Sequence, residues 1–158
     1  MKKILLVIIF AASGLIARAQ TSNPILNQDL ARDLALADTC FAHQQYQEAY
    51  NRYNSVKDDY PRNGKIYRRM GYILSLDDNP SSWQQTEAIK MFKKAVEIDP
   101  TDKVSYYEMG LVYMVLAKHD ALNKAETQNK ALAGDCLKKA ADLGSEDAKA
   151  AIRNLNAI

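Results

Sequence analysis

Apolar residues recur at helical spacing along most of this chain, in blocks separated by short polar stretches. Between Gly64 and Asp102, the residues Tyr67, Met70, Gly71 and Leu74 fall three or four apart, or side by side. That spacing gathers them on one face of a helix. Ala88, Phe92 and Ala95 do the same further on, and Pro100 closes the block. Asn79-Pro80 breaks the chain between the two halves. Ser81 and Ser82 each stand three residues before a Gln (Gln84, Gln85), so either can open the second helix with a capping box. The block predicts two amphipathic helices joined by a turn.

The pattern repeats. Tyr106, Met109, Gly110 and Tyr113 reproduce Tyr67, Met70, Gly71 and Leu74 at an offset of 39. Ala133, Leu137 and Ala140 follow, with Ser145 in place of the proline. Upstream, a block without insertion fits Leu30 to Asn63, carrying Leu36, Ala37, Tyr46, Ala49, Tyr53, Val56 and Pro61. Its first helix departs from the pattern: Asp33 replaces the aromatic, Ala37 the glycine and Cys40 a tyrosine. This helix is expected to start near Asn27 or Gln28, with Asn27 as N-cap. Ser145, Glu146 and Asp147 suit the start of a last helix, running to about Asn156, through capping and the helix dipole.

The order aromatic-x2-apolar-Gly-x2-apolar, then Ala-x3-Phe-x2-Ala-x4-Pro, resembles the tetratricopeptide repeat, a helix–turn–helix unit of 34 residues. The ending LKKAADLGSEDAKAAIRNL resembles the Sel1-like variant of that family. The resemblance implies an all-α fold: an α-solenoid of three helix–turn–helix units (30–63, 64–102 and 103–147), preceded by a lead (20–29) and closed by a C-terminal capping helix (148–158). It also implies that the small residues of a unit's two helices lie opposite one another. Gly71 should then face Ala88, and Gly110 should face Ala133. The turns would fall midway, at His43, at Asn79-Pro80, and at Ala121-Leu122 just after Asp120, a candidate N-cap. Compared with the first unit, the second hairpin is longer by 5 residues and the third by 11. Eleven residues split between two arms add roughly 8 Å to each.

The first 19 residues stand apart from this organisation. Lys2 and Lys3 make a basic start, Ile4 to Ile16 form an apolar run, and Ala17-Arg18-Ala19 is a small-x-small site. These are the parts of a secretory signal peptide, with cleavage expected after Ala19. As a helix the apolar run would rise about 20 Å, short of the roughly 30 Å hydrocarbon core of a bilayer. The expected location is periplasmic or secreted, with no stable membrane insertion after cleavage. Cleavage removes three basic residues and no acid, leaving 18 basic against 19 acidic residues. The near-neutral balance offers no field for nucleic acid. Hydrophobic content of 47% and charged content of 25% are those of an ordinary globular chain.

Catalytic chemistry finds little support. The sequence has two His, no HExxH, no G-x-S-x-G and no Gly-rich phosphate loop. Cys40 and His43 are spaced for a thiolate–imidazole pair on one helix face. The competing assignment puts Cys40 at an apolar packing position and His43 in a turn. As metal ligands the two fall short of the four a structural zinc needs. Asp77, Asp78 and Asn79 lack the spacing of a calcium loop and read as a solvated turn. Neither an enzymatic activity nor a cofactor is expected.

Five tyrosines, Tyr46, Tyr53, Tyr67, Tyr106 and Tyr113, occupy packing positions. In the family, the first helix of each unit lines a concave groove. By resemblance, the groove-facing positions are Asp38, Phe41, Lys65, Arg68, Tyr72, Tyr107, Leu111 and Met114. Of these, Arg68 and Tyr72 show no structural duty in the sequence. Basic residues beside aromatics and a methionine suit an extended peptide with acidic and apolar groups. The family's best-known peptide site clamps a C-terminal carboxylate with Lys, Asn and Arg. Leu34 and Asp38 occupy the first two of those positions, so that clamp is not carried over. The sequence thus points to an exported scaffold that binds a protein or peptide partner, in an envelope assembly. The alternative is an accessory protein for a glycan or other small ligand, which aromatic platforms would favour and the lone Trp83 counts against.

Export and an even cysteine count argue for a disulfide. A stack of repeats argues against it. Cys40 and Cys136 would be separated by two repeats, on the order of 20 Å at 8–10 Å per helix layer, against the roughly 7 Å limit between disulfide-linked Cα atoms. Two buried, reduced thiols are expected.

Overall fold

Each amphipathic block forms a pair of antiparallel helices because neither helix can bury its apolar stripe alone. The computed structural model describes residues 24–77, 80–119 and 124–156. They form α1 (Pro24–Ala42), α2 (Tyr46–Val56), α3 (Gly64–Ser75), α4 (Ser82–Ile98), α5 (Lys103–His119), α6 (Lys124–Asp142) and α7 (Glu146–Asn156). The most extensive packing is within the pairs α1–α2, α3–α4 and α5–α6, and α7 lies on α6. This is an all-α solenoid of three hairpins with a C-terminal helix on the last. The leader segment 1–19 lies outside the described residues, as do Asn79 and the third turn with Asp120, Ala121 and Leu122.

The core follows the repeating positions. Ala49, Tyr53, Ile66, Met70, Ala88, Phe92, Ala95, Ala133, Leu137 and Ala140 are buried. The glycines allow the helices of a pair to close up, and the tightest contact comes from the larger residue one turn beyond the alanine that the spacing predicts. A Cβ on Gly71 would lie 2.9 Å from the buried ring of Phe92, one turn beyond Ala88. On Gly110 it would lie 2.8 Å from Leu137, with the Ala133 carbonyl oxygen at 3.4 Å. The larger residue of the facing helix fills the notch because it has the reach to do so.

Helix ends carry the expected chemistry with some shifts. Ser81, rather than Ser82, forms the capping box: its Oγ accepts from Gln84 N at 3.2 Å, and Gln84 Oε1 accepts from Ser81 N at 2.8 Å. Ser145 Oγ accepts from Ala148 N at 3.2 Å and opens α7. Asn27 lies inside α1, which begins at Pro24, a residue tolerated in a first turn because its missing N–H has no partner there. Two residues past the ends of α1 and α6 the chain enters the left-handed region, at Gln44 (φ 60°) and Gly144 (φ 85°). The closing bonds match: Gln45 N donates to Cys40 O, and Ser145 N donates to Ala140 O, both at 2.9 Å.

The hairpins lengthen along the chain, but unevenly. In the second, α3 has only 12 residues and α4 has 17, so the added residues extend α4 and the turn. In the third, both arms grow, to 17 and 19 residues. The two ends of the stack also differ. Leu36 is 40% exposed on α1, whereas Met70 and Met109, at the equivalent positions, are buried beneath neighbouring repeats. At the other end, Ala148, Ala151 and Leu155 of α7 are buried.

Candidate functional site

The first helices of the units form the inner side of the stack. Here α3 touches α5, and α5 touches α7, in addition to the contacts within pairs. Side chains projecting inward from α1, α3 and α5 therefore meet across repeat boundaries.

At the first boundary the meeting is polar. Asp38 accepts from Tyr53 Oη at 2.7 Å and from Lys65 Nζ at 2.6 Å, and it pairs with Arg69. Arg69 Nη1 also donates to Tyr53 Oη at 2.6 Å, and its guanidinium stands 4.7 Å from the Phe41 ring centroid. Burial raises the Asp38 carboxyl, but the bonds from Lys65 and Tyr53 and the charges of Arg69 and Lys65 outweigh it and hold the group below the usual aspartate range. Burial, with the bond to Asp38, pushes the Tyr53 phenol far up. Main-chain packing between α2 and α3 is thinner than between α4 and α5, so this bridge supplies cohesion where apolar contact is least.

At the second boundary Arg68 Nη1 donates to Asp102 Oδ1 at 3.0 Å. The Asp102 side chain is only 5% exposed. It caps α5 by accepting from Val104 N at 3.2 Å and from Ser105 N at 3.3 Å, while Ser105 Oγ donates to its Oδ2 at 2.8 Å. Arg68 therefore has a structural duty that the sequence concealed: it compensates the charge of a buried cap.

Two recesses that share Glu108 open on this side of the stack. The first, about 390 Å³, is lined by Phe41, Tyr46, Arg68, Arg69, Tyr72, Val104 and Glu108. Phe41, Tyr46 and Tyr72 form a cluster with centroids 5.8–6.4 Å apart, edge-to-face at Tyr46 and tilted between Phe41 and Tyr72. Tyr46, read from the sequence as core, belongs to this cluster and is half-buried. The reason is its place at the start of α2, where the chain turns beside Phe41. The second recess, about 240 Å³ and more enclosed, is lined by Leu74, Ser75, Asp77, Pro80, Gln85, Glu108, Leu111, Val112 and Val115.

The predicted groove residues thus divide. Phe41, Arg68 and Tyr72 share the first recess, and Leu111 lines the second. Asp38 and Lys65 are joined in the polar bridge. Tyr107 and Met114 line neither recess and pack partly against the core. Arg69 and Glu108 were missed, because each follows a groove position in sequence and its role depends on a neighbouring repeat. Glu108 lines both recesses and makes no hydrogen bond or ion pair among the described residues; burial pushes its carboxyl up. The only signal for it was an acid directly after Tyr107 on an otherwise apolar stretch of α5.

The other candidates resolve simply. His43 sits exposed in the turn after α1, and Cys40 packs against the core. Cys40 and Cys136 are both free and half-buried, rather than fully buried, because each sits at the border of its helix's apolar stripe. Burial, with Asp135 nearby, pushes the Cys136 thiol up to about 11. Trp83 is 63% exposed in the first turn of α4 and lines neither recess. No group of three or more His, Cys, Asp or Glu side chains among the described residues could hold a metal ion. No described helix is long and apolar enough to cross a membrane.

No family model matches the chain, and no curated protein matches its sequence. Solved structures do match in shape. The first TPR of Spaghetti (RPAP3), bound to the HSP90 peptide SRMEEVD, superposes with a TM-score of 0.64 at 15% identity, covering 82% of this chain and 91% of that one. The Sgt2 TPR domain from Aspergillus fumigatus gives 0.60 at 15% identity, over 81% of this chain and 77% of that one. The TPR2B domain of yeast Sti1, in its pHsp70 complex, gives 0.57 at 18% identity, over 80% and 90%. Seven recurring sequence positions, three stacked hairpins and these superpositions agree: the chain has the tetratricopeptide-repeat fold.

Proposed function

We propose that this protein is an exported scaffold that holds an extended peptide segment of a partner protein across the inner face of α1, α3 and α5, within an envelope assembly. The observation that carries the reading is the aromatic recess itself. Phe41, Tyr46 and Tyr72 converge from three helices, next to Val104, which is 44% exposed. Exposed apolar and aromatic groups gathered in a concave site favour peptide side chains. Two structures of similar fold carry peptide or pHsp70 partners, which supports the class of ligand. The basic start, apolar run and Ala17-Arg18-Ala19 site support export.

The groove would not take the ligand as an acid clamp. Lys65 and Arg69 are engaged by Asp38, and Arg68 by Asp102. SRMEEVD, the peptide on the RPAP3 repeat, is acidic at its end. An acidic peptide here would have to compete with those internal carboxylates.

The test compares wild type with a Tyr72→Ala, Val104→Asp variant in parallel pull-downs from the envelope fraction. Wild type should retain one stoichiometric protein that the variant loses. Equal recovery by both would place the contact outside the groove. Export is tested separately, by finding the protein in an osmotic-shock fraction with Gln20 as its first residue. Retention of Met1 in the cytoplasm would overturn it.

A further inference from the structure

We propose that the recess between α3, α4 and α5 receives a lysine or arginine side chain of the bound peptide, with Glu108 as its counter-ion. This deepens the groove reading above and rests on it.

Three observations converge. First, the charges of the groove are otherwise spoken for. Asp38 joins Lys65 and Arg69, Asp102 joins Arg68, and Glu108 is left without a hydrogen bond or ion pair among the described residues. A half-buried carboxylate without a partner is costly, and that cost is recovered when a cation arrives.

Second, the recess has the right composition. Leu74, Leu111, Val112, Val115 and Pro80 make apolar walls, and the charged residues among its described lining are Glu108 and Asp77. Asp77 already accepts from Gln84 Nε2 at 3.4 Å. Apolar walls leading to carboxylates match a side chain with an aliphatic stem and a charged head. At about 240 Å³ the space suits one long side chain, not a folded element.

Third, the position fits a continuous ligand. Glu108 lines this recess and the aromatic one beside it. A peptide with an apolar or aromatic residue over Phe41, Tyr46 and Tyr72 would present a nearby side chain to the second recess. Lys and Arg share the required chemistry, an aliphatic stem ending in a cation.

The probe is a positional-scanning array of N-acetylated, C-amidated hexapeptides, in which each position is fixed in turn as Lys, Arg, Glu, Leu or Phe. Capping removes terminal charges, so only side chains supply them. The protein is expressed from its full reading frame and used as the cell processes it. At one position Lys or Arg should be preferred over Glu by at least tenfold. Glu108→Gln should cut that preference at least fivefold while keeping the Leu or Phe preference at other positions. The variant's melting temperature confirms that it is folded. Preference for Glu at that position, or a Lys/Arg preference unchanged in Glu108→Gln, overturns this inference and leaves the peptide groove standing. An array on which wild type shows no preference at any position overturns the groove reading and this inference together.

Discussion

The guanidinium of Arg69 stands 4.7 Å from the centroid of the Phe41 ring and pairs with the carboxylate of Asp38. An aromatic face and a charge from one helix, α1, hold it together. Both partners belong to the first repeat and Arg69 to the second. Replacing Asp38 should therefore loosen the junction. Asp38→Ala should destabilise the fold by about 1–2 kcal/mol, a value reduced for the partial exposure of Asp38 and Lys65. Because the folded carboxyl lies below its ordinary range, this contribution is complete at neutral pH. It is lost as pH falls through the lowered folded value. Urea unfolding at pH 7 and at successively lower pH checks both points: the difference between wild type and Asp38→Ala should shrink toward the acid end.

Glu108 should behave in the opposite sense. Its folded carboxyl is raised by burial, so the protonated form favours the folded state. Stability is highest below the unfolded value and declines as pH rises through the folded one. The groups facing it are Asp77 from the turn after α3, Tyr72 on α3, Gln85 on α4 and Tyr107 on α5. None of these is cationic, and the Arg68 and Arg69 charges nearby are held by Asp102 and Asp38. Glu108→Gln should raise the stability of the unliganded protein by about 1 kcal/mol at neutral pH. Melting curves across pH should show the gain vanish as Glu108 protonates.

Two helix glycines make a controlled pair. A Cβ on Gly71 would meet the Phe92 ring at 2.9 Å, and Phe92 is fully buried. On Gly134 the nearest atom would be Leu155 Cδ2 at 3.7 Å, an ordinary contact. Gly134→Ala should stabilise by about 0.5–1 kcal/mol through helix propensity. Gly71→Leu should cost about 1–3 kcal/mol by overpacking. Chemical denaturation of the two variants reads both signs, and a Gly71→Leu protein as stable as wild type would break the packing account.

Both cysteines are free and should react as thiols. With Cys136 pushed up to about 11, little thiolate exists near neutral pH. Reaction with a thiol reagent at pH 7.5 should be slow at Cys136 in the folded protein and account for two groups after unfolding. Finding none in a monomer would require a bond between the first and third hairpins, which the stack does not permit.

The architecture was legible because it rests on repetition. Tyr67, Met70 and Gly71 recur as Tyr106, Met109 and Gly110, and the same packing problem has the same solution twice. The capping serines were legible because a cap is local. Arg69 and Glu108 were not, since their roles arise from side chains brought together across repeat boundaries. The same holds for Arg68, whose partner Asp102 is 34 positions away. Tyr46 was misread as core because periodicity assigns a face but not the depth of burial at a helix end.

The unequal ends of the stack set the direction in which it comes apart. In a linear array, each hairpin is held by its neighbours, and a terminal one by a single interface. The α7 helix shields the last hairpin, whereas α1 carries Leu36 exposed and its hairpin joins the next through the thinner junction. Fraying should begin there, with the amides of α1 and α2 exchanging with solvent before those of α5 and α6. That hairpin also carries Phe41 and Tyr46, two walls of the aromatic recess. A ligand seated in the recess would act as a clasp on the weakest hinge of the array, and its arrival would be read as hydrogen-exchange protection in α1 and α2.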